Sequence, residues 1–321
     1  MKFELLLSNL SNPTLLFFLL GILAILVKSD LEIPVSSSKF ISLYLLFSIG
    51  FKGGQELSHS GLSSEIVYSL LLGLALASLI PLYSFFILKK RLSISDAGAV
   101  SAAYGSVSAV TFVAAMTFLE SVNLQAGGHM VAVMALMEAP AIIVGVLLIR
   151  HFSQSESAPS EGFRKIIGHA LTNGSVLMVL GSLLIGMVAD AKQAEGIRPF
   201  TTDIFKGFLA IFLLEMGMVT ARRFGAFRRY GGFVTFFALA MPVVNGCLAA
   251  IISAGVTDDI ANRLIFAVLA GSASYIAVPA AMKLASPQSD PGLYLPMALG
   301  VTFPFNISIG IPLYYAIVHL T

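Results

Sequence analysis

Residues 97–119, AGAVSAAYGSVSAVTFVAAMTFL, decide the fold because they contain no Asp, Glu, Lys or Arg. A run of about 20 apolar residues can cross the hydrocarbon core of a bilayer as one helix. The centre of this run holds Gly105, Ser106 and Ser108. Gly lowers helix propensity by about 1 kcal/mol relative to Ala, and Ser can redirect the backbone through local hydrogen bonds. The stretch therefore predicts a membrane helix that is interrupted near its middle.

The rest of the chain has the same apolar character. Hydrophobic residues make up 57% of the 321 residues and charged residues only 11%, whereas soluble domains are about one quarter charged. Residues 5–27, 66–88 and 230–257 also lack charged side chains. We therefore expect an all-α membrane protein of ten transmembrane helices. The predicted helices 1 to 10 span residues 5–27, 40–57, 65–88, 95–120, 127–149, 168–188, 203–220, 233–253, 259–284 and 294–319.

Composition and motifs also exclude several classes of function. The net charge of +2 is too small to indicate binding to nucleic acid. The single cysteine, Cys247, rules out an internal disulfide and a cysteine metal site. The sequence has no G-x-S-x-G, Walker or H-E-x-x-H motif, so nothing indicates hydrolysis or the use of ATP. We expect a protein that is not an enzyme and has no organic cofactor.

The distribution of basic residues predicts the orientation in the membrane. Most of the 19 Lys and Arg residues fall in the loops on one side of the predicted bundle. Cytoplasmic loops are enriched in Lys and Arg, so that side should be cytoplasmic. An even number of helices then places both termini outside the cytoplasm, in a multi-pass protein of the plasma (inner) membrane. The polar, Ser-rich segment 151–167 predicts a cytoplasmic linker between the halves 1–150 and 168–321.

The two halves share a repeated sequence. GSVSAVTFVAAM, residues 105–116, aligns without gaps on GSASYIAVPAAM, residues 271–282, with Gly, both Ser, both Ala and Met identical. The helices that follow share the tripeptide Met-Ala-Leu, at 134–136 and 297–299, with Pro and Gly further along. The repeat unit is therefore five helices. Because five is odd, the second unit should have the inverted topology that is common in secondary transporters.

The matched Gly-Ser segments predict a binding site between helices 4 and 9. Half-helices that begin near Ser108 and Ser274 would enter from opposite faces, so two positive dipole ends would meet at mid-membrane. Backbone N–H groups there, with the hydroxyls of Ser106, Ser108, Ser272 and Ser274, suit a small anion. The alternative is that Gly and Ser simply let helices pack closely.

Glu138 is a candidate ligand for a cation. It lies inside predicted helix 5, two residues before Pro140, and has no basic residue nearby in the sequence. A carboxylate at membrane depth usually faces a cavity, an ion or a proton path. With Thr302 and Asn306 in the matching region of helix 10 it could form a sodium site. A purely structural hydrogen bond is the alternative.

At these residues the chain resembles the sodium-dependent bicarbonate transporters that are best known from cyanobacteria. The resemblance covers nearly the whole chain. It rests on Ile49-Gly50 with Gly53-Gly54, Asp96-Ala97, Gly105-x-Val107-Ser108, Met137-Glu138-x-Pro140-Ala141, Met216-Gly-Met218 and Gly310-Ile-Pro312-Leu313. It implies a ten-helix inverted repeat in which a core domain moves against a gate domain, assembled as a homotrimer in the lipid bilayer.

The resemblance also implies ligands and the residues that bind them. Bicarbonate would lie near Na⁺ between the interrupted helices, at Gly105, Ser106, Val107, Ser108, Ser272, Ala273 and Ser274. The chain departs from the cyanobacterial pattern at Tyr275, where those members have an Asp. The linker is also shorter than theirs; in some members it is associated with a PII-like cytoplasmic regulator.

The resulting hypothesis is a secondary active transporter that takes up a small anion, which the resemblance implies is bicarbonate, by symport with Na⁺. Helices 3–5 and 8–10 would form the moving core, and helices 1, 2, 6 and 7 the scaffold. One alternative is a sodium/proton exchanger or an organic-anion symporter with the same architecture. Another is a membrane scaffold or sensor without transport, for which helices 4 and 9 should be unbroken.

Overall fold

The computed structural model describes residues 13–60, 63–153, 168, 174–227 and 231–321. The beginning of predicted helix 1, most of the predicted linker and the beginning of predicted helix 6 lie outside these ranges. The described residues form an all-helical structure. Its main helices are α1 (Pro13–Leu26), α2 (Val35–Ser60), α3 (Ser64–Leu88), α4 (Ile94–Gly105), α5 (Ala109–Ser121), α6 (His129–Phe152), α7 (Gly174–Val188), α8 (Phe205–Phe227), α9 (Gly231–Ile252), α10 (Ile260–Ala270), α11 (Ala277–Ala285) and α12 (Pro291–Val318).

Six segments of the described chain are long and apolar enough to cross a membrane. They are Ser64–Leu88, Ile94–Ser121, His129–Phe152, Pro199–Arg222, Gly231–Gly255 and Pro291–Val318. Along α3, large apolar side chains such as Leu71, Leu74 and Leu79 point away from the protein. Such a face suits contact with lipid tails, which are as apolar as leucine.

Helix α2 is longer than predicted helix 2. The prediction already includes the charged residues Lys52 and Glu56, and the helix runs through both from Val35 to Ser60, with five more residues at its beginning and three at its end. Lys52 lies 3.9 Å from the carboxylate of Glu120, and Glu56 accepts a hydrogen bond from Gln125. Lys and Glu have good helix propensity, so charged residues with partners on neighbouring elements do not end the helix.

Two helices are interrupted where the sequence predicts it. Helix α4 ends at Gly105 and α5 begins at Ala109, after Ser108, whose hydroxyl caps the new helix by accepting a hydrogen bond from the N–H of Thr111 at 3.2 Å. In the second half, α10 ends at Ala270 and α11 begins at Ala277. Each interruption therefore leaves a helix N-terminus inside the protein.

Two pairs of helices touch backbone to backbone. Helix α1 packs on α8 and α2 packs on α7. A Cβ atom at Gly21 would lie 2.0 Å from the carbonyl oxygen of Leu214, and one at Gly217 would lie 2.0 Å from that of Phe18. In the second pair, a Cβ at Gly54 would lie 2.0 Å from the carbonyl oxygen of Leu183. Small residues at these points permit the close approach of helices that membrane proteins use for packing.

Helix α12 contains π-helical turns over Met297–Thr302 and Asn306–Gly310. In a π turn the carbonyl of Leu299 would accept a hydrogen bond from residue 304, but Pro304 has no N–H. The hydroxyl of Thr220 on α8 donates to that carbonyl instead, at 2.8 Å. Because of Pro304, the carbonyl of Leu299 is available to the hydroxyl of Thr220, and this hydrogen bond ties α12 to α8.

The close approach of α2 and α7 predicts a difference between two glycines of one helix. A Cβ at Gly186 would lie 2.2 Å from the carbonyl oxygen of Phe51, whereas nothing lies within 4 Å of one at Gly181. Overpacking costs about 1–3 kcal/mol. We expect Gly186→Ala to lower the midpoint of thermal unfolding in detergent by several degrees, and Gly181→Ala to leave it unchanged or raise it slightly. Equal midpoints for the two variants would contradict this packing.

Candidate solute and ion site

The two helix interruptions are hydrogen-bonded to each other. The N–H of Ser108 donates to the hydroxyl oxygen of Ser272 at 2.9 Å, and the N–H of Ser274 donates to the carbonyl of Ala103 at 2.8 Å. The Ser272 hydroxyl in turn donates to the carbonyl of Leu269 at 2.9 Å. These groups are buried. Because buried backbone groups need partners, each interruption supplies the hydrogen bonds that the other has lost.

Two glycines, Gly105 and Gly271, allow the interruptions to pack closely against neighbouring helices. A Cβ at Gly105 would lie 2.1 Å from Cγ of Pro81, the proline inside α3. A Cβ at Gly271 would lie 2.7 Å from the hydroxyl of Tyr314. Any larger residue at either position would force the end of α4 or α10 away from its neighbour, so these glycines have a packing role at the break.

A small cavity lies beside the interlocked breaks. It is bounded by the residues after Gly105, by the residues around Ser274, and by side chains of α2, α6 and α7. Its volume is about 20 Å³, which is room for about one water molecule. It is lined by Leu46, Val107, Ser108, Ala109, Met134, Glu138, Ser175, Val179, Ser274, Tyr275 and Ile276. A three-oxygen anion would need a wider form of this cavity.

The charges around the cavity are of both signs. Helix α5 begins at Ala109 and α11 begins after Ile276, and both of these residues line the cavity. The N-terminus of a helix carries about half a positive charge. On the α6 side stands Glu138, for whose carboxylate no hydrogen bond or ion pair is found within the described ranges. The site therefore offers two positive helix ends to an anion and one free carboxylate to a cation.

The residues predicted for the anion divide into two groups. Val107, Ser108 and Ser274 line the cavity. The other four, Gly105, Ser106, Ser272 and Ala273, are buried behind it, where Ser272 holds the interlock. The hydroxyl of Ser106 is fully buried and has no partner in the part of the chain that the structure describes.

The three predicted sodium ligands are not brought together. Glu138 lines the cavity, but Thr302 and Asn306 do not. The Thr302 hydroxyl donates to the carbonyl of Ala238 at 2.8 Å and lies 2.7 Å from the hydroxyl of Tyr104. The Asn306 amide nitrogen donates to the carbonyl of Gly271, also at 2.8 Å. In this conformation Thr302 ties α12 to α9 and α4, and Asn306 ties α12 to the second interruption.

Sequence reasoning missed part of the cavity wall. Tyr275 stood out only as a departure from a pattern, yet its ring lines the cavity and contacts Phe303 edge-on at a centroid distance of 6.3 Å. Leu46, Ser175 and Val179 line it from α2 and α7. Nothing in the local sequence distinguishes these apolar or small residues from their neighbours, so only the packing of the helices reveals them.

Together, these features describe a helical membrane protein built around two interrupted helices, which border a small cavity that contains one carboxylate. Comparison with protein families adds a specific match. The family model of the Na⁺-dependent bicarbonate transporter superfamily matches residues 13–319. The chain therefore belongs to this superfamily, which is a family of Na⁺-dependent transporters and not of enzymes. No curated protein matches the chain.

The hydrogen bonds between the two interruptions predict that replacing Ser272 and replacing Ser106 have different effects on stability. Ser272→Ala leaves the buried N–H of Ser108 without its acceptor, which costs about 1–3 kcal/mol. Ser106→Ala removes a hydroxyl that has no partner among the described residues. We expect Ser272→Ala to lower the thermal midpoint by several degrees and Ser106→Ala to leave it unchanged. The prediction fails if the two variants unfold at the same temperature.

Proposed function

We propose that this protein takes up bicarbonate by symport with Na⁺, and that both ions bind at the cavity between the interrupted helices. The observation that carries the proposal is the joining of two positive helix ends, at Ala109 and Ala277, with one free carboxylate, Glu138, around a single cavity. Membership in the superfamily supports bicarbonate and Na⁺ as the transported pair.

We further propose the architecture of ten transmembrane helices in two inverted five-helix repeats, residues 1–150 and 168–321. Support comes from the reciprocal packing of the scaffold helices. Predicted helix 1 packs on predicted helix 7 as α1 on α8, and predicted helix 2 packs on predicted helix 6 as α2 on α7. A two-fold exchange of the halves converts one pair into the other. The two interruptions also make matching hydrogen bonds. Ser108 and Ser274 occupy matching positions in the repeat, and each donates its N–H to the other interrupted helix.

The anion would bind at the helix ends. Free N–H groups and hydroxyls at a helix N-terminus form a common binding site for oxyanions. Val107, Ser108 and Ser274 line the cavity and would contact the anion directly, while Gly105, Ser106, Ser272 and Ala273 would fix their positions. Because the cavity is small in this conformation, the transport cycle requires a state in which it is wider.

Sodium would bind at the carboxylate. Glu138 supplies the negative charge, and hydroxyl or carbonyl oxygens of the neighbouring lining would complete the coordination. Thr302 and Asn306 would join this site only in a state in which they leave their present partners, Ala238 and Gly271. Bound Na⁺ beside the helix ends would also strengthen the attraction for an anion, which is a direct physical basis for coupling the two ions.

Topology and assembly complete the proposal. The excess of Lys and Arg on one side places both termini outside the cytoplasm in the plasma (inner) membrane. The resemblance to cyanobacterial transporters supports a homotrimer. It also directs attention to the linker 151–167 as a docking point for a PII-like regulator, although most of that linker lies outside the described residues.

The interruptions bear on the alternatives. A scaffold or sensor without transport predicts helices that run unbroken through Gly105 and Gly271, but α4 ends at Gly105 and α10 ends at Ala270. A sodium/proton exchanger or an organic-anion symporter has no such conflict with the structure. Proton flux that needs no anion would identify the exchanger.

Uptake by purified protein in liposomes tests the function. We expect labelled bicarbonate to accumulate several-fold faster with an inward Na⁺ gradient than with K⁺ in its place. Glu138→Gln removes the negative charge from the cavity and should abolish stimulation by Na⁺. Glu215→Gln, a matched change on α8 outside the cavity lining, should retain it. Uptake that is independent of Na⁺ in folded protein would refute the symport, and stimulation that survives Glu138→Gln would refute the ion site.

A further inference from the structure

A second, larger cavity is lined by three of the helices that also line the site, α2, α5 and α6. Its volume is about 390 Å³, within the range of cavities that hold small molecules. Helices α2, α5 and α6, the loop between α5 and α6, and Phe205 at the start of α8 form its wall. Side chains that carry a charge or a polar group there are Lys52, Glu56, Thr117, Glu120, Asn123 and Gln125.

The two cavities are lined by the same face of α2 and by the same face of α6. On α2, Leu46 lines the site and Ile49 lines the larger cavity. On α6, Met134 lines the site and Val131 lines the larger cavity. Residues three positions apart share a helix face and lie about 5 Å apart along the axis. All four side chains are buried and apolar, so a barrier about one helical turn thick separates the cavities.

Helix α5 continues this alignment. Its first residue, Ala109, lines the site, and Met116 and Glu120 line the larger cavity. These positions are spaced by seven and then four residues, which keeps them on one face. A solute leaving the larger cavity toward the start of α5 would therefore arrive at the positive helix end beside Ser108.

The lining of the larger cavity contains one ammonium group, that of Lys52, and two carboxylates, those of Glu56 and Glu120. Glu120 pairs closely with Lys206 of α8, at 3.1 Å, and more loosely with Lys52, at 3.9 Å. A distance of 3.9 Å is too long for a hydrogen bond, so Lys52 is held near Glu120 and Glu56 by charge attraction and not by a close hydrogen bond to Glu120. Both ion pairs are partly exposed and hence weak and easily exchanged.

We propose that the larger cavity is the entry vestibule of the transport path, that Lys52 receives the small oxyanion there, and that Leu46, Ile49, Val131 and Met134 form the closed gate between vestibule and site. The proposal rests on the proposed transport function for the identity of the solute. Glu120, which joins α5 to α2 and α8 across the mouth of the vestibule, would release Lys52 as the anion binds.

Cysteine labelling tests the path without requiring transport. The single cysteine is removed by Cys247→Ser, and membrane-impermeant methanethiosulfonate reagents are added to the protein in liposomes. We expect rapid labelling of Thr117→Cys in the vestibule and at least tenfold slower labelling of Ala109→Cys at the site. An unreactive Thr117→Cys would overturn the vestibule, and equal rates at both positions would overturn the gate.

The gate has a matched control on the same helix. Ile49→Ala should speed the labelling of Ala109→Cys several-fold, because it opens the barrier. Ile41→Ala truncates an equally buried residue of α2 that lines neither cavity and should leave that rate unchanged. Equal effects of the two truncations would mean general loosening of the protein and would overturn the gate.

The role of Lys52 is tested by reagents of opposite charge. At Thr117→Cys, we expect Lys52→Gln to reduce the ratio of anionic to cationic labelling rates about fivefold, as loss of one nearby charge predicts. Lys206→Gln should reduce it clearly less, since Lys206 does not line the vestibule. Equal reductions would overturn the assignment to Lys52. If the labelling pattern holds but the parent protein shows no Na⁺-dependent bicarbonate uptake, the proposed substrate fails and the vestibule stands.

Discussion

The structure depends on the hydrogen bonds between the two interrupted helices. A bilayer offers no water to backbone groups that lose their helical partners, and each unsatisfied group costs several kcal/mol. Here the N–H of Ser108 is satisfied by the Ser272 hydroxyl, and the N–H of Ser274 by the carbonyl of Ala103. Neither break could keep its buried donor satisfied without the other. The four half-helices α4, α5, α10 and α11 are therefore held as one unit.

A different kind of packing holds the remaining scaffold. Helices α1 and α8, and α2 and α7, meet backbone to backbone at glycines, with no side chain between them. Between the scaffold and the interlocked unit lie side chains, the small site cavity and the larger cavity beside Lys52. Contacts through glycine backbones resist sliding, while contacts through side chains around cavities can be rearranged.

Much of this arrangement follows from local chemistry. The breaks at Gly105 and near Gly271 could be predicted because Gly and Ser weaken a helix within the few residues where they occur. The prediction for α2 fell short mainly at its beginning, because residues 35–39, Val-Ser-Ser-Ser-Lys, are largely polar and do not continue the apolar run. The partners of its charged residues, Glu120 and Gln125, are distant in sequence and could not be predicted. The sodium candidates illustrate the same limit. Thr302 and Asn306 carry suitable oxygens, but their partners Ala238 and Gly271 lie on other segments and could not be inferred from spacing.

The site cavity brings one carboxylate close to two positive helix ends. At the position where the resemblance described in the sequence analysis implies an Asp, this chain has Tyr275, which lines the cavity. Among the described lining residues, Glu138 is then the one carboxylate. A single negative charge can attract Na⁺ without cancelling the attraction of two helix ends for an anion. A second carboxylate would oppose the anion at a distance of a few ångströms. The substitution of Tyr275 is therefore compatible with the binding of an anion and a cation in one small cavity, provided that the carboxylate stands on α6 and faces the helix ends.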